Sequence, residues 1–326
     1  MPAQSRISFR AKLARLGLRW FVKRSGQRQT LKESRRQYVA MQRVIPRPPR
    51  SVSTTHINAG GVTGDWIVTP QSRTDRSVLY LHGGAYRVGS PTIYRHFTWR
   101  LAEVTRAGLL AIDYRLAPEN PFPAALNDAF GAFRWLRERK PGDSIIMGDS
   151  AGGGLALGLL LKLRDMGSPM PRAAAVLSPW TDLALTGRTL ALNADADVLL
   201  NTSDLPEFAA DYLAGADPRT PYASPLYGDP AGLPPTLIQV GSDEIIRDDA
   251  VRMADKMRQA KCHVELSIWP RMPHVWHMLV PFVPEAQAAI MQIGRFVEEA
   301  LRPKQGNAGV ERNRPPDVRT RGRVVQ

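Results

Sequence analysis

From Ser51 to Leu301, short apolar runs alternate with longer segments of helical period. "VSTTHINA" (52–59) and "VTGDWIV" (62–68) flank Gly60–Gly61, a hairpin signal. "SVLYL" (77–81), "LLAIDY" (109–114), "SIIMG" (144–148), "RAAAVLSPW" (172–180), "PTLIQVG" (235–241) and "HVELSIWP" (263–270) read as strands, each followed by loop or helix. "ALGLLLKLRD" (156–165) is plainly helical. Strands alternating with helices predict an α/β fold, a mostly parallel sheet covered on both faces. Residues 183–228 break the rhythm with an Asp/Asn/Pro-containing stretch, expected as an insertion over the C-terminal ends of the strands.

The first residues follow another pattern. In "ISFRAKLARLGLRWFVKR" (7–24), Phe9, Leu13, Leu16 and Trp20 recur at helical spacing, with Arg10, Arg15, Arg19 and Lys23 mostly elsewhere. This predicts a basic amphipathic helix. Its first reading is a helix packing its apolar face on its own protein. A peripheral contact with an anionic membrane surface is the sharper one. "IPRPPR" (45–50) then reads as a linker. The tail after Leu301, with several Arg and few apolar residues, is expected to be disordered. The organisation is therefore 1–50, a basic N-terminal helical segment, then 51–301, the body, then 302–326, a basic tail.

Charge changes the picture only once it is located. The 326 residues carry a net charge of +14, yet residues 1–50 hold +13 and 302–326 hold +5, which leaves the body at −4. No nucleic-acid motif accompanies the basic ends, so no specific nucleic-acid partner is expected. Cys262 is the single cysteine, which rules out an intrachain disulfide and suits a reducing compartment. The densest apolar run, Gly152 to Leu163, is shorter than the roughly 18 residues a membrane span needs. Arg15 and Arg19 interrupt what would be the core of a signal peptide, so a cytoplasmic protein is expected.

"IIMGDSAGGG" (145–154) carries the chemistry. Gly148-Asp149-Ser150-Ala151-Gly152 matches G-x-S-x-G, follows an apolar strand and opens a helix. In that setting a serine sits on a tight, strained turn with its hydroxyl exposed. A hydroxyl is a poor nucleophile until a base takes its proton, so an orienting acid and a histidine should follow in that order. "SDEIIRDD" (242–249) places Asp243 just past one strand, and "RMPHVWHM" (271–278) places His274 and His277 past the next. Upstream, "LYLHGGAYRVGS" (79–90) runs from an apolar strand into His82, Gly83 and Gly84, where bare backbone can approach a ligand closely.

With "HGGA" (82–85), "DYRLAPENPFPAAL" (113–126), "GDSAGG" (148–153), "SPWTDL" (178–183), "ASPL" (223–226), "GSDEIIRDDA" (241–250) and "MPHVWH" (272–277), the chain resembles the hormone-sensitive-lipase-type, or bacterial family IV, esterases of the α/β-hydrolases. The resemblance covers roughly residues 50–300. It implies an eight-stranded sheet with a helical cap built partly from the N-terminal helices, and carboxylic-ester hydrolysis with no cofactor and no metal. It places the nucleophile on Ser150, the acid on Asp243 and the base on His274, with oxyanion-hole N–H groups from Gly83, Gly84 and Ala151. The commonest family version has a third glycine where this chain has Ala85, so altered substrate preference is expected there.

Around this core, Asp113, Arg115 and Glu119 are expected to brace the loop beside the oxyanion segment, and His82 and His96 to make structural hydrogen bonds. Glu244 lies one residue off the matching position for the acid, and His277 is the rival to His274. Asp248 and Asp249 are expected to sit at the start of the next helix. Leu199, Leu200, Phe208 and Tyr212 of the cap should line a pocket for short- to medium-chain acyl groups of a small-molecule ester. The same triad would serve an amide or N-acyl hydrolase or a deacetylase. A ligand-binding member of the fold would lack the histidine. A homodimer stays open.

Overall fold

The computed structural model describes residues 7–24, 30–43 and 45–302, without the side chains of 21–24. The tail beyond 302 and residues 1–6 and 25–29 lie outside this description. Helices α1 (Phe9–Arg24) and α2 (Leu31–Met41) precede a hairpin of β1 (Ser53–Ala59) and β2 (Val62–Val68). Then come β3 (Arg73–Leu81), α3 (Pro91–Thr105), β4 (Ala107–Ile112), α4 (Ala124–Arg139), β5 (Asp143–Asp149), α5 (Ala151–Asp165) and β6 (Ala173–Leu177). The expected insertion holds two short helices, α6 (Thr189–Leu192) and α7 (Leu205–Leu213), and a 3₁₀ turn at Pro225–Tyr227. The chain closes with β7 (Thr236–Gly241), α8 (Arg247–Gln259), β8 (Val264–Trp269) and α9 (Pro284–Leu301).

All eight strands join one sheet in the order β1-β2-β4-β3-β5-β6-β7-β8. β2 runs antiparallel to both β1 and β4, and every other pairing is parallel. The interior strands β4, β5 and β6 are buried almost throughout because helices cover both faces, which is why their sequences are continuous apolar runs. On one face Leu79, Leu110, Ile146 and Val176 pack with α4, α5 and α8. On the other, Val78, Leu109, Ile145 and Ala175 pack with α3 and α9. β1 and β8 are the two edge strands, β1 mostly exposed and β8 only partly buried.

The parallel strands all point the same way, so the loops after β3, β5, β7 and β8 gather at one rim. The 183–228 insertion is tied to this rim by polar contacts. Asp248 accepts from the N–H groups of Arg188 and Thr189, and Asp249 from those of Thr181 and Asp182. Both acids stand in the first turn of α8, as expected, but their carboxylates reach out to staple the insertion and the loop before it. Burial lifts Asp249 to about 8.

The N-terminal helix departs from its first reading. Ile7 and Ala11 face the body and are buried, while Phe9, Leu13, Leu16 and Trp20 are exposed. The stripe points away from its own protein.

Candidate active site

The nucleophile candidate is set by the β5–α5 junction. Ser150 has φ 52° and ψ −124°, a sparsely populated positive-φ conformation that costs a non-glycine residue on the order of 1–3 kcal/mol. The turn is pinned by Ser150 N–H donating to Leu177 O (2.8 Å) and by Gly153 N–H donating to Ser150 O (2.9 Å). At Gly152 a side chain would collide with the carbonyl oxygens of Leu81 and His82, so β3 and α5 pass this closely only around glycine.

His274 arrives on the loop after β8. Its Nε2 lies 2.8 Å from Ser150 Oγ and its Nδ1 lies 2.8 Å from Glu244 Oε2. The acid in contact with the imidazole is therefore Glu244, and the expectation for Asp243 is corrected. Glu244 is fully buried; its Oε1 accepts from Gly241 N–H (2.5 Å) and Ser178 O–H (2.7 Å). Asp243 turns the other way, to Arg15 of α1 (2.7 Å) and Ser242 O–H (2.8 Å). Neighbouring residues in this tight turn send their side chains to opposite sides.

A carboxylate accepts only, so Nδ1 carries the proton and Nε2 is free to accept from Ser150. Burial pulls His274 down, but the bond to Glu244 and the charges of Glu244, Asp197 and Asp149 outweigh it and leave the imidazole above its ordinary value. Burial pushes the Glu244 carboxyl up. The rival His277 is elsewhere: it is buried, bonded to Gln239 Oε1 (2.8 Å), and held down to about 3 by burial.

The glycine segment after β3 is held by a residue that the sequence reading passed over. Asp149 is fully buried, and its Oδ1 accepts from Gly83 N–H (2.9 Å) and Tyr80 O–H (2.5 Å), its Oδ2 from Tyr94 O–H (3.2 Å). Gly83 N–H is thus already committed, which corrects its expected place as an oxyanion donor. A side chain at Gly83 would collide with Asp149 Oδ2 and come within 3.0 Å of Ser150 Cβ. The N–H groups of Gly84, Ala85 and Ala151 have no acceptor among the described residues. Ala85 holds φ 53°, a conformation that suits the glycine expected there. Burial raises Asp149 to about 6.

His82 and His96 make structural hydrogen bonds, as expected, whereas Asp113, Arg115 and Glu119 bond to partners other than one another. His82 is buried, bonds Gly83 O through Nδ1 (2.8 Å) and is held at about 4 by burial. His96 bonds the carbonyls of Ile93 and Met278. Glu119 pairs with Arg35 of α2 (2.6 Å) and Arg115 with Asp128 (2.8 Å), and Asp113 donates its N–H to Thr63 O. In the cap, Tyr212 is buried and stacks on Tyr86 at 3.6 Å, Leu200 and Phe208 pack beside the core, and Leu199 is half-buried. Two residues that were assigned no role from the sequence hold the acid loop. Ser178 bridges Glu244 to Val275 N–H, and Asn193 of the cap donates to Ser242 O and Glu244 O. "SPWTDL" was the only hint of Ser178.

Known proteins resemble this chain in sequence and in fold. A profile of the alpha/beta hydrolase fold matches residues 78–278. An acetyl-hydrolase of Streptomyces hygroscopicus is 46% identical over 255 residues, covering 78% of this chain and 84% of its own. A carboxylesterase/phospholipase of Mycobacterium tuberculosis is 33% identical over 267 residues, covering 78% of this chain and 71% of its own. A crystal structure of an esterase from the bacterial hormone-sensitive lipase family superposes with a TM-score of 0.85 at 38% identity, covering 90% of this chain and 98% of that one.

Proposed function

We propose, from the premise that this chain belongs to the hormone-sensitive-lipase-type esterases of the α/β-hydrolase superfamily, that it cleaves short- to medium-chain acyl esters through Ser150, His274 and Glu244. It is a carboxylesterase-like hydrolase. The observation that carries the mechanism is the unbroken line from Ser150 Oγ to His274 and on to Glu244, each step 2.8 Å. Ser150 Oγ attacks the ester carbonyl while His274 Nε2 takes its proton, and Glu244 steadies the imidazolium that forms. The negative charge on the carbonyl oxygen falls to the N–H groups of Gly84, Ala85 and Ala151; each well-aimed donor contributes about 3–4 kcal/mol. His274 then protonates the leaving alcohol, and water hydrolyses the acyl-enzyme by the same route.

In this reading the buried stack of Tyr212, from α7 of the cap, on Tyr86 limits the acyl group to short chains. The acetyl-hydrolase relative points the same way and makes acetyl esters the first substrates to try. The test is hydrolysis of p-nitrophenyl esters from acetate to palmitate by the wild type and Ser150→Ala. Loss of about 10⁴-fold in kcat with an optimum at short chains is expected. A residual rate within about tenfold of wild type would remove Ser150 from the mechanism.

A further inference from the structure

Helix α1 has two faces that do different things. Its inner face is fastened to the loops of the active-site rim. Arg15 pairs with Asp243, the neighbour of Glu244, and donates to Arg271 O (2.5 Å), three residues before His274. Ser8 donates both N–H and O–H to Glu285 (2.6 and 2.8 Å), and Ile7 and Ala11 are buried. The outer face carries Phe9, Leu13, Leu16 and Trp20, exposed at 72%, 51%, 65% and 62%. At about 100° per residue these four fall within an arc of roughly 60°, opposite the buried side. An amphipathic helix ordinarily turns its stripe inward; this one lies on its protein with the stripe outward.

We propose that α1 docks this protein on the surface of an anionic phospholipid bilayer. Charge selects that occupant. Arg10 stands on one flank of the stripe and Lys12 and Arg19 on the other, all exposed. A hollow of about 180 Å³ beside it is lined by Lys12, Leu16, Arg19 and Arg271 together with the Asp243-paired Arg15, so cations beyond that pair are left to face a phosphate headgroup. The first 50 residues carry +13 against −4 for residues 51–301, so positive charge is concentrated in the segment of the chain that holds the stripe. A ridge of aromatic and leucine side chains rimmed by cations is the pattern that enters the headgroup–acyl boundary. A second copy is disfavoured as occupant, because meeting through this face would set the two cationic rims against each other. No helix among the described residues is long and apolar enough to cross a membrane, so the contact is peripheral. Because α1 grips the Glu244 and His274 loops, docking would hold the active-site rim close to the lipid.

The test uses the full chain and needs no catalysis. Co-sedimentation with vesicles of phosphatidylcholine, alone or mixed with phosphatidylglycerol, is compared at low and high salt. The partner is the variant Phe9→Ser/Leu13→Gln/Leu16→Gln/Trp20→Ser. The wild type should bind the mixed vesicles, release in high salt, and lose affinity about tenfold or more in the variant. Turnover of a soluble ester should be unchanged. The single Phe9→Glu, which sets a charge against the anionic surface, should reproduce the loss if the fourfold variant folds poorly. Binding undiminished in both variants, equal binding to neutral vesicles, or none to the mixed ones would overturn the proposal. So would a wild-type dimer that the variant converts to monomer, which would assign the face to a second copy.

Discussion

Replacing Glu244 by glutamine should cost about 10⁴-fold in kcat, whereas replacing Asp243 by asparagine should leave kcat within about threefold of wild type. The size of the first effect follows from the surroundings of Oε1. Gly241 N–H and Ser178 O–H both point at that atom, so a glutamine must place its carbonyl there. Its NH₂ then occupies the Oε2 position, 2.8 Å from His274 Nδ1. Nδ1 is forced to accept, the ring proton moves to Nε2, and Nε2 can no longer take the proton of Ser150. Glu244 is fully buried, so no solvent is at hand to restore the tautomer. A loss of 10⁴ corresponds to about 5 kcal/mol of transition-state stabilisation. Asp243, by contrast, gives up a partly exposed pairing with Arg15, about 1 kcal/mol or less of stability. Steady-state kinetics on p-nitrophenyl acetate would compare the two, with melting curves to show that both fold. The pH profile gives a second reading. His274 must be neutral to act as base, so activity rises with pH through its pKa. Burial lowers that pKa, but Glu244 and its neighbours raise it further, so the acid limb should lie above the ordinary histidine value of about 6.5 and shift down in Glu244→Gln. A severe Asp243→Asn beside a mild Glu244→Gln would refute the reasoning.

Two further outcomes concern the segment behind the oxyanion donors. Burial raises Asp149 from 3.8 to about 6. An acid raised on folding contributes stability below its unfolded value and loses it as pH rises through the folded one. Asp149→Asn, whose carbonyl can still take the Gly83 and Tyr80 donors, should therefore gain on the wild type between pH 4 and 7, by up to about 3 kcal/mol in chemical denaturation; a pH-independent difference would contradict this. Gly83→Ala should lower kcat by about 100-fold or more, because the methyl group cannot fit against Asp149 and Ser150 without moving the loop; near-normal turnover would show that the loop has room.

The patterns along the chain were sufficient for what depends on neighbours in sequence. The six strand-like runs and the hairpin are all strands of the sheet, because an apolar run covered on both faces looks the same wherever it lies. Ser150 and His274 were legible because each follows a strand in a chain order that the fold requires. The acid was harder. Asp243 and Glu244 are adjacent acids on one turn, and their spacing to the strand differs by a single residue. Asp149 was hidden inside a motif whose serine drew attention, and Ser178 had no marker of its own chemistry.

The sequence by itself determined the alternation of strand and helix, the strained turn at Ser150 and the basic amphipathic α1, since each rests on local backbone preference or periodicity. Only the tertiary structure decided which acid meets His274, which N–H groups stay free after Asp149 takes that of Gly83, and which way the stripe of α1 faces. Those outcomes depend on partners far away in sequence: Arg15 draws Asp243 outward, Ser178 and Gly241 hold Glu244 inward, and Ser8 and Arg15 fasten α1 by its other side. A side chain's direction is set by the groups that fold against it, and no pattern of spacing along one strand or helix contains them.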